Sequence, residues 1–341
     1  MWKVDPSIRL LLMWLVALHC GSSQAQLHIY GQASVASPAI AIEDLDSDWS
    51  TVGAGRYAQA QGRTGLEIDL NQQWLVGVES RFDYVLHFSE ETAQFYKKLE
   101  DNDLPTGQYP LSLSVNAVVS RGFFASYFIP LSNSQSLSIT GHILQPLKVQ
   151  DGKLVGLGEV NEDGSYQYTY NLDYAYDSNK LFEHQGQDVS GWGHSFDLSY
   201  LYRGEDGWSY GVELKDVFYR FYWQAVNRDK GCYSRPLGSC DFRTEQVSQR
   251  QKLPFSQQYT LSKSLSSDSL VQLQVYNWSR QLAFSVGVQW FGYDLSVDLL
   301  SRAIQFGYES DMVRLKLASD QYRLSKSKFW QASVDFYWPI L

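Results

Sequence analysis

Glu79, Arg81 and Asp83 stand two residues apart in the chain. At that spacing an extended backbone carries all three on one face. A carboxylate–guanidinium–carboxylate row can pair ions across neighbouring strands, or shape a transverse field for small polar solutes. Further charges fall into the same kind of alternating register: Glu67, Asp69, Asp173, Glu213, Lys215, Arg314 and Lys316. The acids among these ten outnumber the bases, so an open pore lined by them is expected to lean towards cations. Histidine chemistry is sparse, with only His28, His87, His142, His184 and His194 beyond the N-terminal segment. His87 and His142 are candidates for the same inward face, and Asp83 shares the face of His87. A hydrolytic pair would need to meet in a protected cleft within hydrogen-bond reach. No Gly-x-Ser-x-Gly elbow and no metal-type histidine spacing accompanies them. The reading is a non-enzyme, without cofactor or metal, whose charges line a passage.

The elements that position these residues are strands. From Trp74 to Phe88, the residues Trp74, Val76, Val78, Phe82, Tyr84, Leu86 and Phe88 share one parity, with Ser80 the one polar member. The other parity carries Gly77, Glu79, Arg81, Asp83 and His87. Tyr166–Tyr176, Phe196–Tyr202, Trp208–Leu214, Leu282–Trp290, Val313–Leu317 and Trp330–Trp338 repeat the pattern. Helices cannot produce period-two alternation, so this is a strand signal running along most of the chain.

Composition limits what such strands can build. The 341 residues are 15% aromatic and only 19% charged, including 23 Tyr and 11 Trp, with a net charge of −9. Mean hydropathy is nevertheless −0.30. Beyond the N-terminal segment no run approaches the eighteen apolar residues of a membrane helix. An aromatic-rich, mildly polar chain of alternating strands suits a barrel with lipid outside and water inside. The acidic balance gives nucleic acid no basic face to bind.

The first residues read as a secretory signal. Lys3 and Arg9 precede an apolar run from Leu10 to Cys20, and Ser23 and Ala25 occupy the small-residue positions of a cleavage site. Cleavage is expected after Ala25, leaving 26–341 as one barrel domain. The run is too short to serve as an uncleaved anchor, and His19 before Cys20 argues against lipidation. Cys232 and Cys240 then remain, in a Gly- and Pro-punctuated loop. In an oxidising compartment they are expected to close that loop as a disulfide.

Tight polar turns are expected at Asn71-Gln72, Ser132–Ser134, Asn161–Gly164, Gly204–Gly207, Ser266–Ser269 and Glu309–Asp311. Longer loops are expected near 37–56, 89–110, 178–192 and 224–250. Placing tight turns in the periplasm and long loops outside gives an antiparallel up-and-down barrel of about sixteen strands, with fourteen as the alternative. Trp74, Trp208, Trp290 and Trp338 then all fall at periplasmic strand ends, as an interfacial girdle requires. Within the loop after Phe88, Ser89 could cap a short helix with Phe95 and Leu99 on one face. A solvated outer helix is favoured there over an inward constriction.

Val334, Phe336 and Trp338 end the chain in an alternating strand with a terminal aromatic, and in this it resembles the bacterial outer-membrane β-barrel superfamily, porins included. The resemblance implies insertion by the barrel-assembly machinery into the lipid of a Gram-negative outer membrane. Pro339-Ile340-Leu341 depart from the usual aromatic terminus. On size, the expected function is a passive channel for small hydrophilic solutes or ions. The competing expectation is a non-conducting barrel, alone, as a homo-oligomer or with a surface partner, that assists anchoring, assembly or export of a surface polymer or protein.

Overall fold

A computed structural model describes residues 25–43, 55–101, 105–179, 184–185, 189–235, 238–323 and 326–340. The expected signal segment therefore lies outside the described residues, as does part of the 37–56 loop. The strands are β1 (Ala25–Ala36), β2 (Tyr57–Asp69), β3 (Trp74–Phe88), β4 (Gly107–Ser132), β5 (Gln135–Val160) and β6 (Tyr166–Tyr176). A two-residue pair follows, β7 (Ser178–Asn179) with β8 (His184–Gln185). Then come β9 (Ser190–Arg203), β10 (Trp208–Arg235), β11 (Gly238–Lys252), β12 (Ser256–Ser266) and β13 (Ser269–Trp278). The chain closes with β14 (Gln281–Trp290), β15 (Tyr293–Asp298), β16 (Ile304–Glu309), β17 (Val313–Ser319) and β18 (Phe329–Ile340). A helix, α1 (Glu90–Asp101), interrupts them.

Fourteen strands form a closed ring in the order β1-β2-β3-β4-β5-β9-β10-β12-β13-β14-β15-β16-β17-β18. The ring shuts where β18 pairs β1 antiparallel, from Ala25 opposite Ile340 to Ala36 opposite Phe329. Every neighbouring pair is antiparallel, so each backbone edge is satisfied, the condition for crossing hydrocarbon with strands.

The expected count of sixteen is corrected to fourteen, the alternative. β6 and β11 belong to the same sheet but not to the ring. β4 and β5 are 26 residues each and β10 is 28, far longer than the 9–11 residues that span a bilayer. Their upper halves project beyond the ring, where β6 pairs both β5 and β10, and β11 pairs β10. The turn at Asn161–Gly164 joins β5 to β6 at the tip of this extension, not at the short-turn end. The 224–250 stretch is likewise mostly strand rather than loop. Alternation revealed these strands but could not say whether their apolar parity meets lipid or protein. In β6 it meets protein, since Leu172, Tyr174 and Tyr176 are buried.

α1 packs on the outer face of the extension. Ser89 caps it, its Oγ accepting from Thr92 N at 3.1 Å. Ala93 is buried with Ala58 and Phe88, and Phe95 with Leu111 and Val160. Phe88 and Leu111 have outward parity, so the helix lies outside the barrel as expected, with one flank buried rather than solvated throughout. Gly158 lets it approach, because a Cβ there would stand 2.6 Å from the Phe95 ring. The side chain of Leu99 lies outside the described residues.

Candidate functional site

Strand register sorts every ring residue to one face. Outward parity carries Leu27, Ile29, Val76, Val78, Phe123, Ile139, Leu198, Val212, Leu273, Val286, Leu295, Phe306, Leu315 and Phe336, and many are exposed large apolar side chains. Such a continuous apolar belt has no stable place in water. Trp74, Trp208, Trp290 and Trp338 are 44%, 41%, 63% and 64% exposed, all on this face and all at the short-turn end. Tyr127 packs against Trp74, and Tyr202 stacks on Tyr210 at the same level. These rings form the interfacial girdle of a membrane barrel.

Inward parity carries the ten charged residues singled out above. The structure separates them into four groups. Glu79, Arg81 and Asp83 are buried at mid-height. Glu67 lies near the short-turn end, bonded to His28, whose other ring nitrogen is 3.1 Å from Asp335. Asp69 shares that parity next to the Asn71 turn. Glu213 and Lys215 pair with each other at 3.4 Å, Arg314 pairs with Glu309, and Lys316 approaches Asp294 at 4.0 Å. Asp173 sits above the ring, bound bidentately by Arg228 at 2.6 Å through both Nε and Nη2.

The mid-height group is the centre of a larger cluster. Arg81 donates to Asp216 at 2.7 Å and to Ser195 at 3.3 Å, and lies 2.8 Å from Glu79. Arg63 on β2 donates to Asp197 at 3.3 Å and also to Asp216. His142 Nδ1 stands 2.8 Å from Glu79 and 2.6 Å from Arg81. One nitrogen can serve only one of them, as donor to the carboxylate or acceptor from the guanidinium. Tyr219 Oη donates to Asp83 at 2.8 Å, and its ring lies 5.7 Å from the Arg81 guanidinium. Two guanidiniums thus face four carboxylates (Glu79, Asp83, Asp197, Asp216), with the histidine between them.

These partners come from strands that a round ring would hold apart. Fourteen strands about 4.8 Å apart, tilted by about 40°, would enclose a circle roughly 28 Å across. Yet Gln61 on β2 donates to Tyr276 on β13 at 2.8 Å, and those strands are diametrically opposite in the ring order. Gln59 likewise donates to Gln281 on β14 at 2.6 Å. The wall is therefore indented, and the lumen is crossed by its own side chains.

β10 makes the indentation. Its ladder with β9 slips between Leu214 and Val217, and again before Arg220. Asp216 and Phe218 take φ of 64° and 57°, left-handed values unusual for non-glycine residues. These bulges turn Asp216 inward towards Arg81 and Arg63, and Tyr219, Phe221 and Trp223 inward above it. There Phe221 and Trp223 bury against Val118, Leu144, Val149, Val226 and Leu253. Each such side chain stabilises by about 1.5–3 kcal/mol. Gln251 of β11 links the two walls, accepting from Trp223 Nε1 at 2.9 Å and donating to Asn116 and to the Ala117 carbonyl.

Sequence reading missed Asp197, Asp216, Tyr219 and Arg63 as cluster members, although Asp197 lies in the regular alternation of Phe196–Tyr202. Asp216 and Tyr219 follow bulges, where the period-two count fails. Arg63 sits in a Gly-rich stretch of β2 whose outward partners, Gly62 and Thr64, carry no greasy signal.

Above the ring, an open vestibule of about 590 Å³ is lined by His87, Asn116, Asp151, Lys153, Asp173 and Arg228, among others. Burial, reinforced by the Asp173 charge, lifts Asp151 to about 6 against the opposing pull of Arg228. Cys232 and Cys240 stand directly opposite in the β10–β11 ladder of this region. Among the described residues no His/Cys/Asp/Glu group is arranged to hold a metal ion.

A closed antiparallel ring with a lipid-grade exterior, a polar interior, short turns at one end and long projections at the other defines a transmembrane β-barrel of the bacterial outer-membrane kind. No family model matches the chain, and no curated protein does. Solved structures similar to it include the Pseudomonas putida toluene transporter TodX, at 11% identity over 95% of this chain and 91% of that one, TM-score 0.33. The translocator domain of the autotransporter NalP from Neisseria meningitidis matches at 9% over 98% and 95%, TM-score 0.37. A Pseudomonas aeruginosa FadL homologue matches at 11% over 92% and 90%, TM-score 0.29. The class assignment rests on the ring and its two faces, not on these distant likenesses.

Proposed function

We propose that the chain is an outer-membrane channel for small hydrophilic solutes, narrowed at mid-height by the Arg63–Arg81 cluster. The observation that carries this reading is the polar inner wall beside the cluster. There β1, β2, β10 and β12–β18 enclose a cavity of about 190 Å³ lined mainly by amides and hydroxyls. Among the described residues, what fills the rest of the lumen is side chains of the wall itself. The proposal includes export by the N-terminal signal and a Cys232–Cys240 disulfide, which the ladder register supports because directly opposite residues lie at bridgeable separations.

Four carboxylates against two guanidiniums give the constriction a negative balance, so small cations should pass more readily than anions. Purified protein in planar bilayers is expected to give small, discrete conductance steps, with a reversal potential shifted to the cation side in a salt gradient. Silence across independent preparations would reject the channel. In that case the second reading would stand, a non-conducting barrel whose β4–β5–β6–β10–β11 extension engages a surface partner. The cross-lumen bonds of Gln59 and Gln61 and the stacked Tyr168, Tyr170 and Tyr233 on the extension are the observations in its favour.

A further inference from the structure

The cavity beside the cluster is lined by neutral polar groups more than by charges. Seven glutamines and four serines line it, with the rings of Tyr276 and Phe329. Five charged residues also border it, and each is committed elsewhere. Arg63 is held by Asp197 and Asp216, and Glu213 by Lys215. Asp298 accepts from the Leu300 and Ser301 amides, and Lys316 leans to Asp294. Four of the five thus stand beside an opposite charge, and Asp298 is held by backbone amides.

The amides are in a different position. Gln32, Gln258, Gln305 and Gln331 make no side-chain hydrogen bond among the described residues, yet all four line the same cavity. Each offers one carbonyl acceptor and two N–H donors. Four such groups from β1, β12, β16 and β18 converge on one volume, so a guest there meets alternating donors and acceptors on several sides. Hydroxyl groups, which both donate and accept, satisfy that arrangement. An isolated ion is matched less well, because four of the five bordering charges already have an opposite charge beside them and the fifth, Asp298, is taken up by two backbone amides. The Tyr276 and Phe329 rings add an apolar surface for the carbon skeleton of such a guest.

We propose that this cavity is a binding site for a neutral, polyhydroxylated solute the size of a monosaccharide or disaccharide. The proposal names the solute class for the channel reading and extends it, but binding at the site needs no ion current. The two readings can therefore fail separately. Residues Gln305 and Gln331 belong to β16 and β18 and face the cavity from one wall. Specific binding of a sugar through amides is directional, so losing two of four should cost at least about tenfold in affinity, the usual effect of removing one or two neutral hydrogen bonds.

The test is calorimetric titration of the detergent-folded wild-type protein with glucose and maltose. Glucosamine and gluconate serve as charged controls of similar size. Millimolar or tighter binding of a neutral sugar is expected, with the charged controls at least tenfold weaker. The Gln305→Ala/Gln331→Ala double variant, confirmed as folded by its resistance to SDS before heating, is expected to lose at least tenfold. Absence of heat for both neutral sugars would overturn the proposal. So would equal binding of glucosamine or gluconate, or unchanged affinity in the folded double variant. A sugar-binding protein without conductance would keep the site and reject only the channel.

Discussion

Phe306→Arg is expected to destabilise the folded barrel by about 1–3 kcal/mol, whereas Gln305→Arg, one residue away, should cost less than about 1 kcal/mol. Both lie on β16, only six residues long. Phe306 is 53% exposed and points outward one step in from Tyr308 at the girdle, with Ile304 beyond it, so it lies inside the apolar belt on its short-turn side. A guanidinium there must be buried in hydrocarbon or must thin the bilayer to reach water. Gln305 faces the polar cavity, where a cation keeps its hydration. Urea unfolding in lipid vesicles, followed by tryptophan fluorescence and by heat-dependent mobility on gels, measures both costs. Equal effects of the two substitutions would mean the faces are not lipid and water.

Arg81→Ala is expected to have a larger effect on the interior, and on two readouts at once. Arg81 is 1% exposed and touches Glu79 and Asp216 together with Ser195 and His142. Removing it leaves two buried carboxylates facing each other across the constriction. Breaking one partner of a buried ion pair costs about 3–5 kcal/mol. The same repulsion should part the β3 and β10 walls, so single-channel conductance is expected to rise and cation preference to sharpen. Arg81→Lys keeps the charge but not the forked geometry, and should fall between. Arg81→Ala/Asp216→Ala should recover part of the lost stability, because it removes the stranded carboxylate as well. If Arg81→Ala lowers stability but leaves conductance at the wild-type level, the cluster does not set the width of the path.

Much of the fold is legible in the sequence, for a physical reason. Hydrocarbon on one side of a wall and water on the other impose a period of two, and that period survives wherever the strand is regular. Trp74–Phe88 therefore declares both its faces through residue types alone, and so does Leu282–Trp290. The four girdle tryptophans can be placed because each begins or ends such a run. Strand number is less legible. Tyr166–Tyr176 alternates as cleanly as any spanning strand, but its Leu172, Tyr174 and Tyr176 bury beneath neighbouring protein in the extension. Alternation reports a two-faced environment and not its identity. The cluster is half visible: Glu79, Arg81 and Asp83 lie in a regular strand, whereas Asp216 and Tyr219 follow bulges that reset the count. Their partnership across the lumen depends on the indentation of β10, a long-range property that no local pattern encodes.

The claim beneath all the others is that the aromatic and aliphatic belt meets lipid. Tryptophan fluorescence of the protein in vesicles carrying brominated acyl chains tests it directly, since bromine quenches only rings within contact range. Trp74, Trp208, Trp290 and Trp338 stand exposed at the girdle and Trp192, 50% exposed, on the same outward face at the other end of β9, while Trp223 and Trp278 are buried. Strong quenching by bromine placed near the headgroup end of the chain is predicted, with weaker quenching by bromine near the bilayer centre and little by aqueous iodide. Quenching by iodide with no response to brominated lipid at any depth would contradict the account.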